Sequence, residues 1–437
     1  MQRIAVIGSG ISGLAAARRL TLASGRHHVT LFEAGAHFGG HANTVDLCLD
    51  GVSHGVDTGF LVYNERTYPL LTRLFAELDV DVADADMSFS VQLPRADGPG
   101  LEWSGSSLRT VFAQKRNLLR PRFLRMLREI LRFNQLTTAM AGGELGLQEQ
   151  GSVAEFLARH GFGDAFRDDY LLPMIGCIWS CPTEQMLAFP MATLIRFCHN
   201  HGLIQVTDRP QWRTVRGGSR QYVRRILTGL ADARLNTPVL GLKRLPGQVL
   251  VRTAGGTESF DAIVLACHSD QALALLGDQA SADERAVLGA IRYQPNVAVL
   301  HTDEGVLPTR RLAWAAWNYE RAADSQREQA QVCLHYLLNR LQPLPWTQPV
   351  VVSLNPVRPI DESRVHQRIE YAHPVFDLAA LQAQGRVGEL QGQARTWYCG
   401  AWCGYGFHED GLRSGLAAAD GVLAALDIWA STERGAA

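Results

Sequence analysis

Ile4-Ala5-Val6-Ile7 runs directly into Gly8-Ser9-Gly10-Ile11-Ser12-Gly13, and an Ala/Leu-rich stretch from Leu14 to Ala23 follows. The apolar run reads as a fully buried parallel strand. The Gly-x-Gly-x-x-Gly turn opens a helix, and Val29-Thr30-Leu31-Phe32-Glu33 supplies the next strand. Together they predict one βαβ unit of about 30 residues. Gly8 serves the tight turn, Gly10 the close approach of a pyrophosphate, and Gly13 the packing of helix on strand. The helix N-terminus, with Ile11 and Ser12, offers N–H groups and its dipole to phosphates. Glu33 lies twenty residues beyond Gly13 and can accept hydrogen bonds from ribose hydroxyls. An acid at that place argues against a 2′-phosphate. No second such turn with a downstream acid follows, so NAD(P)H is not expected as a tightly bound cofactor.

The chain has 437 residues, enough for two or three domains with a large core. Lys+Arg is 42 and Asp+Glu is 43, which gives no global attraction to nucleic acid, and no nucleic-acid partner is expected. Eight cysteines occur without a C-x-x-C. Cys177/Cys181 and Cys399/Cys403 are each separated by three residues, with no His at usual zinc spacing, so no metal is expected. Reduced core thiols suit a cytoplasmic protein. Three residues precede the first strand, so no leader is expected, and no apolar run of 18 residues spans a membrane.

Farther along, residues 67–79 read as a helix. A long helical pattern covers 109–140, interrupted by Pro121. Ser152-x-x-Glu155 is a capping box that opens a helix over 151–160. Residues 219–231 read as helical after Gly217-Gly218. Gln248–Thr253, Phe260–Ala266, Val297–His301 and Val350–Leu354 read as strands. A last strand, Thr396–Cys399, leads through Gly400 to a terminal helix from about Gly411 to Trp429.

Glu33-Ala34-Gly35-Ala36-His37-Phe38-Gly39-Gly40-His41 places a glycine pair just after the acid, and Gly55-Val56-Asp57-Thr58-Gly59-Phe60 follows. This pattern resembles the flavin-containing amine oxidoreductase superfamily, which includes monoamine oxidases, phytoene desaturases and protoporphyrinogen oxidase. The resemblance implies FAD as the cofactor. It places Ala34, Gly39, Gly40 and His41 near the pyrophosphate, and Asp57, Thr58 and Gly59 near the flavin. His41 stands where the family has Arg, so a permanent charge is missing there. Val215-Arg216-Gly217-Gly218 and Asp261-Ala262-Ile263-Val264-Leu265-Ala266-Cys267 are similar to later family segments. Tyr398-Cys399-Gly400-Ala401-Trp402 resembles the C-terminal flavin motif, with Ala401 in place of an Asp, so only a backbone N–H serves there. His408-Glu409-Asp410-Gly411-Leu412 leads into the last helix, whose N-terminus the resemblance aims at the flavin N1/C2 carbonyl.

Three segments are similar to a narrower bacterial group: Gly59 to Pro69, Met87 to Val91, and Gly404 to Asp410. Genes of that group tend to lie beside cyclopropane-fatty-acyl-phospholipid synthase-like methyltransferases. This implies a hydrophobic or lipid substrate and a functional link to a fatty-acyl methyltransferase.

A basic stretch supports a lipid surface as partner. Lys115, Arg116, Arg120, Arg122, Arg125, Arg128 and Arg132 stand with one acid, Glu129. Arg125, Arg128 and Arg132 share a helical face, and Leu119, Phe123, Met126, Leu127, Ile130 and Leu131 supply an apolar one. Such a helix can lie on an anionic membrane at its inner face, or be a solvated cover over a core. Tyr63, Trp179, Tyr405 and His408 are the candidate catalytic residues, with Asn64, Ser180, Trp402 and Phe407 beside them. They form an aromatic cage for an amine, a slot for an acyl chain, or plain core.

The expected architecture is α/β: a Rossmann-like FAD-binding domain interleaved with a second, mixed-sheet-plus-helices substrate domain of α+β type. The FAD parts are 1–78, 212–270 and 395–437; the substrate parts are 79–211 and 271–394. The expected reaction desaturates an unsaturated or methyl-branched fatty-acyl chain of a membrane phospholipid. Oxidation of a small amine or other soluble molecule, and a flavin-binding protein with little turnover, stand as alternatives.

Overall fold

The computed structural model describes residues 1–23, 27–94, 100–142, 151–179, 183–204, 209–322 and 332–435. Its first layer is a five-stranded parallel sheet. Gln2–Ile7 lies in the middle, flanked by His27–Phe32 on one side and Ala262–Leu265 on the other. Asp232–Arg234 and Thr396–Tyr398 complete the two edges. Ile4, Ala5 and Val6 are fully buried, which is why this strand is apolar without alternation. The chain therefore leaves the central strand at a point where its neighbours run off in opposite directions. Ligands of open parallel sheets bind in the crevice at such a point.

Two helices cover one face of this sheet. Ile11–Leu22 follows the glycine turn, and His408–Gly435 packs across it. The turn and the two helices close up because two positions lack a side chain. A β-carbon at Gly13 would overlap the carbonyl of Gly8, and one at Gly415 would overlap the carbonyl of Ser12. The last helix begins at His408, three residues before the expected Gly411.

The second large sheet has seven strands in the order Val365–Val375, Arg292–His301, Val351–Leu354, Cys333–Leu337, Trp317–Glu320, Phe89–Leu93, Leu101–Ser104. It is antiparallel except between Trp317–Glu320 and Phe89–Leu93. Side chains alternate across it. Its inner face carries Ala298, Trp317, Tyr336, Val352 and Leu354. Its outer face carries a polar chain of bonds. Ser353 Oγ bridges His301 Nε2 at 2.6 Å and His335 Nδ1 at 2.7 Å. His335 Nε2 meets Glu320 Oε2 at 2.9 Å, and Arg358 Nε meets Glu320 Oε1 at 2.6 Å. Ligand atoms of Glu320, Cys333 and His335 lie within 4.8 Å of one another, but the carboxylate and the imidazole are already engaged in these bonds.

Helices pack over the mixed sheet. The capping box forms as expected: Ser152 Oγ accepts from the Glu155 N–H and Glu155 accepts from the Ser152 N–H at 2.8 Å. The 109–140 pattern resolves into three pieces, Leu108–Val111, a 3-10 turn over Lys115–Leu119, and a helix over Pro121–Ala141. Pro121 starts the long helix, where its missing N–H has no partner to lose.

The expected apolar face of this stretch needs correction. Phe123 and Met126 turn into the core at 3% and 0% exposure, while Leu119 and Leu131 face solvent at 86% and 61%. The break at Arg120–Pro121 separates Leu119 from the phase of the helix. Leu131 falls on the solvent side, with Leu124, Arg125, Arg128 and Arg132. Two basic residues are tied inward: Arg122 pairs with Asp169 at 3.2 Å, and Arg132 donates to the His160 carbonyl while lying over the Phe162 ring. Among the described residues, no helix is long and apolar enough to cross a membrane.

Candidate functional site

A cavity of about 880 Å³ runs from the carboxyl ends of the parallel strands to the inner face of the mixed sheet. Gly8, Gly10, Ile11, Ser12, Glu33, Ala34, Gly40 and His41 line its first part. Thr58, Gly59, Gly400, Ala401, Tyr405 and His408 line its middle, and Trp179 stands at its far end.

The first part fits a dinucleotide. Gly10 caps the helix at Ile11 with no side-chain hydrogen bond, which leaves that end to a ligand. Glu33 is held in place: Oε2 accepts from the Ser9 N–H at 3.0 Å and from its hydroxyl at 2.5 Å, and Oε1 accepts from the Gly35 N–H at 2.7 Å. The carboxylate thus fixes the phosphate turn as well as offering itself to a ribose. His41 Nε2 is buried and has no hydrogen-bond partner among the described residues. Gly13 and Gly39 lie behind this surface; they shape it without lining it.

Several expected contacts are not made. Asp57 does not line the cavity. Its carboxylate accepts from Thr44 at 2.6 Å, from Ser219 N–H and hydroxyl at 2.9 and 2.7 Å, and from Gln342 Nε2 at 2.8 Å. It bolts the Thr44–Asp57 hairpin to the Gly217–Gly218 turn and to Gln342. Burial pushes its pKa up to about 6 against these donors. Asp410 also lies outside the cavity; it accepts from the N–H groups of Tyr405 and Phe407 and so shapes the loop before the last helix. Gly411 and Leu412 sit under the cavity wall: a β-carbon at Gly411 would press on Ile11, and Leu412 is core. Tyr63 is core as well, edge-on to Phe75 at 5.2 Å, and does not line the cavity.

The other three candidate catalytic residues do meet the cavity. Trp179 Nε1 donates to the Tyr405 carbonyl at 3.3 Å. His408 stacks on Phe60 at 3.7 Å, and its Nε2 lies 3.1 Å from the Tyr222 hydroxyl. Burial pushes its pKa down to about 3, so it is neutral at physiological pH and does not store a proton there. Ser180 lies outside the described residues.

Sequence reasoning missed much of the far wall. Phe197 stacks on His201 at 4.0 Å and on Phe407 at 5.1 Å, and lies 4.6 Å from Trp179. Trp212, Trp317, Tyr336, Tyr371 and His373 also line the cavity. His201 Nδ1 donates to the Phe197 carbonyl at 2.9 Å, which leaves Nε2 as an acceptor. No local motif marks these residues, because they come from separate helices and strands. Among the described residues of the lining, Glu33 is the one acid, and no Lys or Arg is present.

A smaller cavity of about 450 Å³ adjoins this one and shares Trp179, Pro374 and Phe376 with it. Its wall is mostly apolar. Arg292, paired with Asp377 at 2.8 Å, stands at its polar edge.

The family model described as flavin containing amine oxidoreductase matches residues 11–327, and the chain belongs to that family. It is an FAD-dependent oxidoreductase. No curated protein sequence matches the chain. Among solved structures, putrescine oxidase bound to putrescine is 16% identical with a TM-score of 0.65, covering 97% of this chain and 99% of that one. The CLA-producing fatty acid isomerase from P. acnes is 17% identical with a TM-score of 0.64, covering 95% and 97%. Cyclohexylamine oxidase from Brevibacterium oxydans is 15% identical with a TM-score of 0.61, covering 98% and 99%. Likeness at these identities is a likeness of fold.

Replacing Glu33 by Ala is expected to weaken FAD retention roughly 10–150-fold, since a hydrogen bond to a charged group contributes about 1.5–3 kcal/mol. Fluorescence titration of the FAD-stripped protein measures it. An unchanged Kd would remove Glu33 from the cofactor site.

Proposed function

We propose that the protein oxidises an elongated apolar substrate, an unsaturated or methyl-branched fatty-acyl chain, by desaturation next to an existing double bond. The observation that carries this reading is the wall beyond the cofactor. Trp179, Phe197, Trp212, Trp317, Val352 and Leu354 line it, with no acid, Lys or Arg among the described residues there. A cationic amine entering this space would be stripped of water with no carboxylate to meet it, which is costly. An acyl chain gains from the same surface. The adjoining apolar cavity behind Trp179 and Phe376 gives a long chain further room.

Bound FAD supplies the two-electron acceptor. The residues of the chain exclude water, hold the alkyl chain, and offer His201 Nε2 as a hydrogen-bond acceptor beside the substrate. His201 has its pKa lowered by burial to about 4, so it stands neutral at neutral pH. That similar folds include both a fatty acid isomerase and two amine oxidases leaves the choice to the wall chemistry. Anaerobic mixing with unsaturated fatty acids or phospholipids should bleach the flavin absorbance, and mixing with mono- and diamines should not. Bleaching by amines alone would overturn the acyl reading and favour the small-amine one.

The substrate reading also calls for a place to meet lipid. Leu118, Leu119, Leu124 and Leu131 are 42–86% exposed, and Lys115, Arg125 and Arg128 are exposed around them. This mixture of apolar and basic side chains suits a peripheral contact with an anionic bilayer. It supports lipid as the source of the substrate, with a fatty-acyl methyltransferase as a functional neighbour acting on the same chains.

A further inference from the structure

The cofactor's diphosphate carries two negative charges, and nothing permanently cationic lines the cleft among the described residues. What lines it instead is imidazole: His41, His201, His268, His373 and His408. We propose that His41 takes up a proton when FAD binds and so supplies the positive charge the cleft otherwise lacks.

The placement favours His41 over the other four. Gly39 donates from its N–H to the Ser9 carbonyl at 3.1 Å, and a β-carbon at Gly40 would lie 3.2 Å from the Gly10 Cα. The next residue, His41, is therefore held against the phosphate turn. The other imidazoles are engaged. His373 Nδ1 accepts from the Asn296 amide at 2.8 Å. His268 caps the Ser269–Leu276 helix and stacks on Tyr293. His201 bonds the Phe197 carbonyl, and His408 bonds Tyr222. His41 Nε2 is buried without a partner, and its ring is steadied by stacking on Tyr371 at 4.7 Å. An unpaired buried ring nitrogen is costly unless a ligand satisfies it.

The groups facing His41 are His373 and Tyr371 from the long edge strand, His268 after the Ala262–Leu265 strand, and His408 from the last helix. Glu33, which follows the second strand, also lines the cavity, and its oxygens accept from Ser9 and Gly35. Without the cofactor, burial and then His373, His268 and His408 hold the His41 pKa well below its ordinary value. Two phosphate charges act in the opposite direction and raise it. The sign follows from linkage. Proton uptake makes FAD bind more tightly as pH falls through the raised pKa of the complex, and the gain levels off below the depressed pKa of the free protein.

The test is calorimetry of FAD binding to the stripped protein between pH 6 and 8, in buffers of different ionisation enthalpy. The expected result is uptake approaching about one proton per FAD, with Kd rising by up to roughly tenfold per pH unit between the depressed pKa of the free protein and the raised pKa of the complex, and levelling off above the latter. His41→Arg should bind FAD with no uptake and a flat pH profile. His41→Gln should bind more weakly at pH 6 and lose the uptake. Binding heats independent of buffer in the parent would overturn the proposal, as would undiminished uptake in His41→Gln. These outcomes leave the substrate reading untouched, because no substrate or turnover enters the measurement.

Discussion

An Asp57→Ala protein is expected to unfold at a markedly lower urea concentration and to release FAD as it does so. Asp57 is 1% exposed and receives donors from three segments far apart in sequence: Thr44, Ser219 and Gln342. Removing the carboxylate leaves the Ser219 N–H, two hydroxyls and an amide buried without their acceptor. Each buried donor left unsatisfied costs about 1–3 kcal/mol, so a loss of several kcal/mol is expected. Asp57→Asn keeps one carbonyl acceptor but turns an NH₂ toward donors, so an intermediate loss is expected. Both measurements follow fluorescence across a urea series, with flavin release read alongside. If Asp57→Ala unfolds with the parent, the bracket between hairpin, turn and Gln342 contributes little, and Asp57 needs another role.

The second large effect concerns the exposed basic and leucine-rich surface. A protein with Arg125→Glu and Arg128→Glu is expected to stop sedimenting with vesicles of phosphatidylglycerol and phosphatidylcholine. Each basic residue near an anionic leaflet contributes about 1 kcal/mol. Reversing two removes that attraction and adds repulsion, about 4 kcal/mol together, or roughly a 10²–10³-fold loss of partitioning. Arg122 and Arg132 are left alone, because Asp169, the His160 carbonyl and the Phe162 ring use them to hold the helix. The variant should keep its FAD and its urea midpoint. Unchanged sedimentation would make this surface a solvated cover over the core.

The same helix shows where the sequence could be read and where it could not. Pro121 is visible as an interruption. That it starts a new helix, and so shifts the phase of everything after it, is a matter of backbone geometry. Phe123 and Leu131 look equivalent in an apolar list, yet one is core and the other faces water. The phosphate turn was legible because its task is local: Gly8, Gly10 and Gly13 act on each other and on the next strand. The Ser152–Glu155 box was legible for the same reason.

Asp57 and Tyr63 show the limit of that locality. Both flank a segment, Thr58 to Val62, that lines the cavity, but their own side chains point elsewhere. Asp57 turns to Ser219 and Gln342, and Tyr63 turns to Phe75. Trp179, Tyr405 and Phe407 were legible through the resemblance, but the rest of the aromatic wall had no signal. Phe197, His201, Trp212 and Tyr371 are ordinary residues in their own segments and become neighbours through tertiary packing.

The crossing of the first and last helices also has a consequence in time. The phosphate turn and the elements that close over it lie far apart in the sequence. The strand Thr396–Tyr398 that completes its sheet, and the helix whose Gly415 rests on Ser12, are made long after it. A growing chain therefore holds its phosphate turn without this support until those distant segments follow. Cofactor capture is in this sense a late event in the life of the chain, because segments distant in sequence must meet to make it possible.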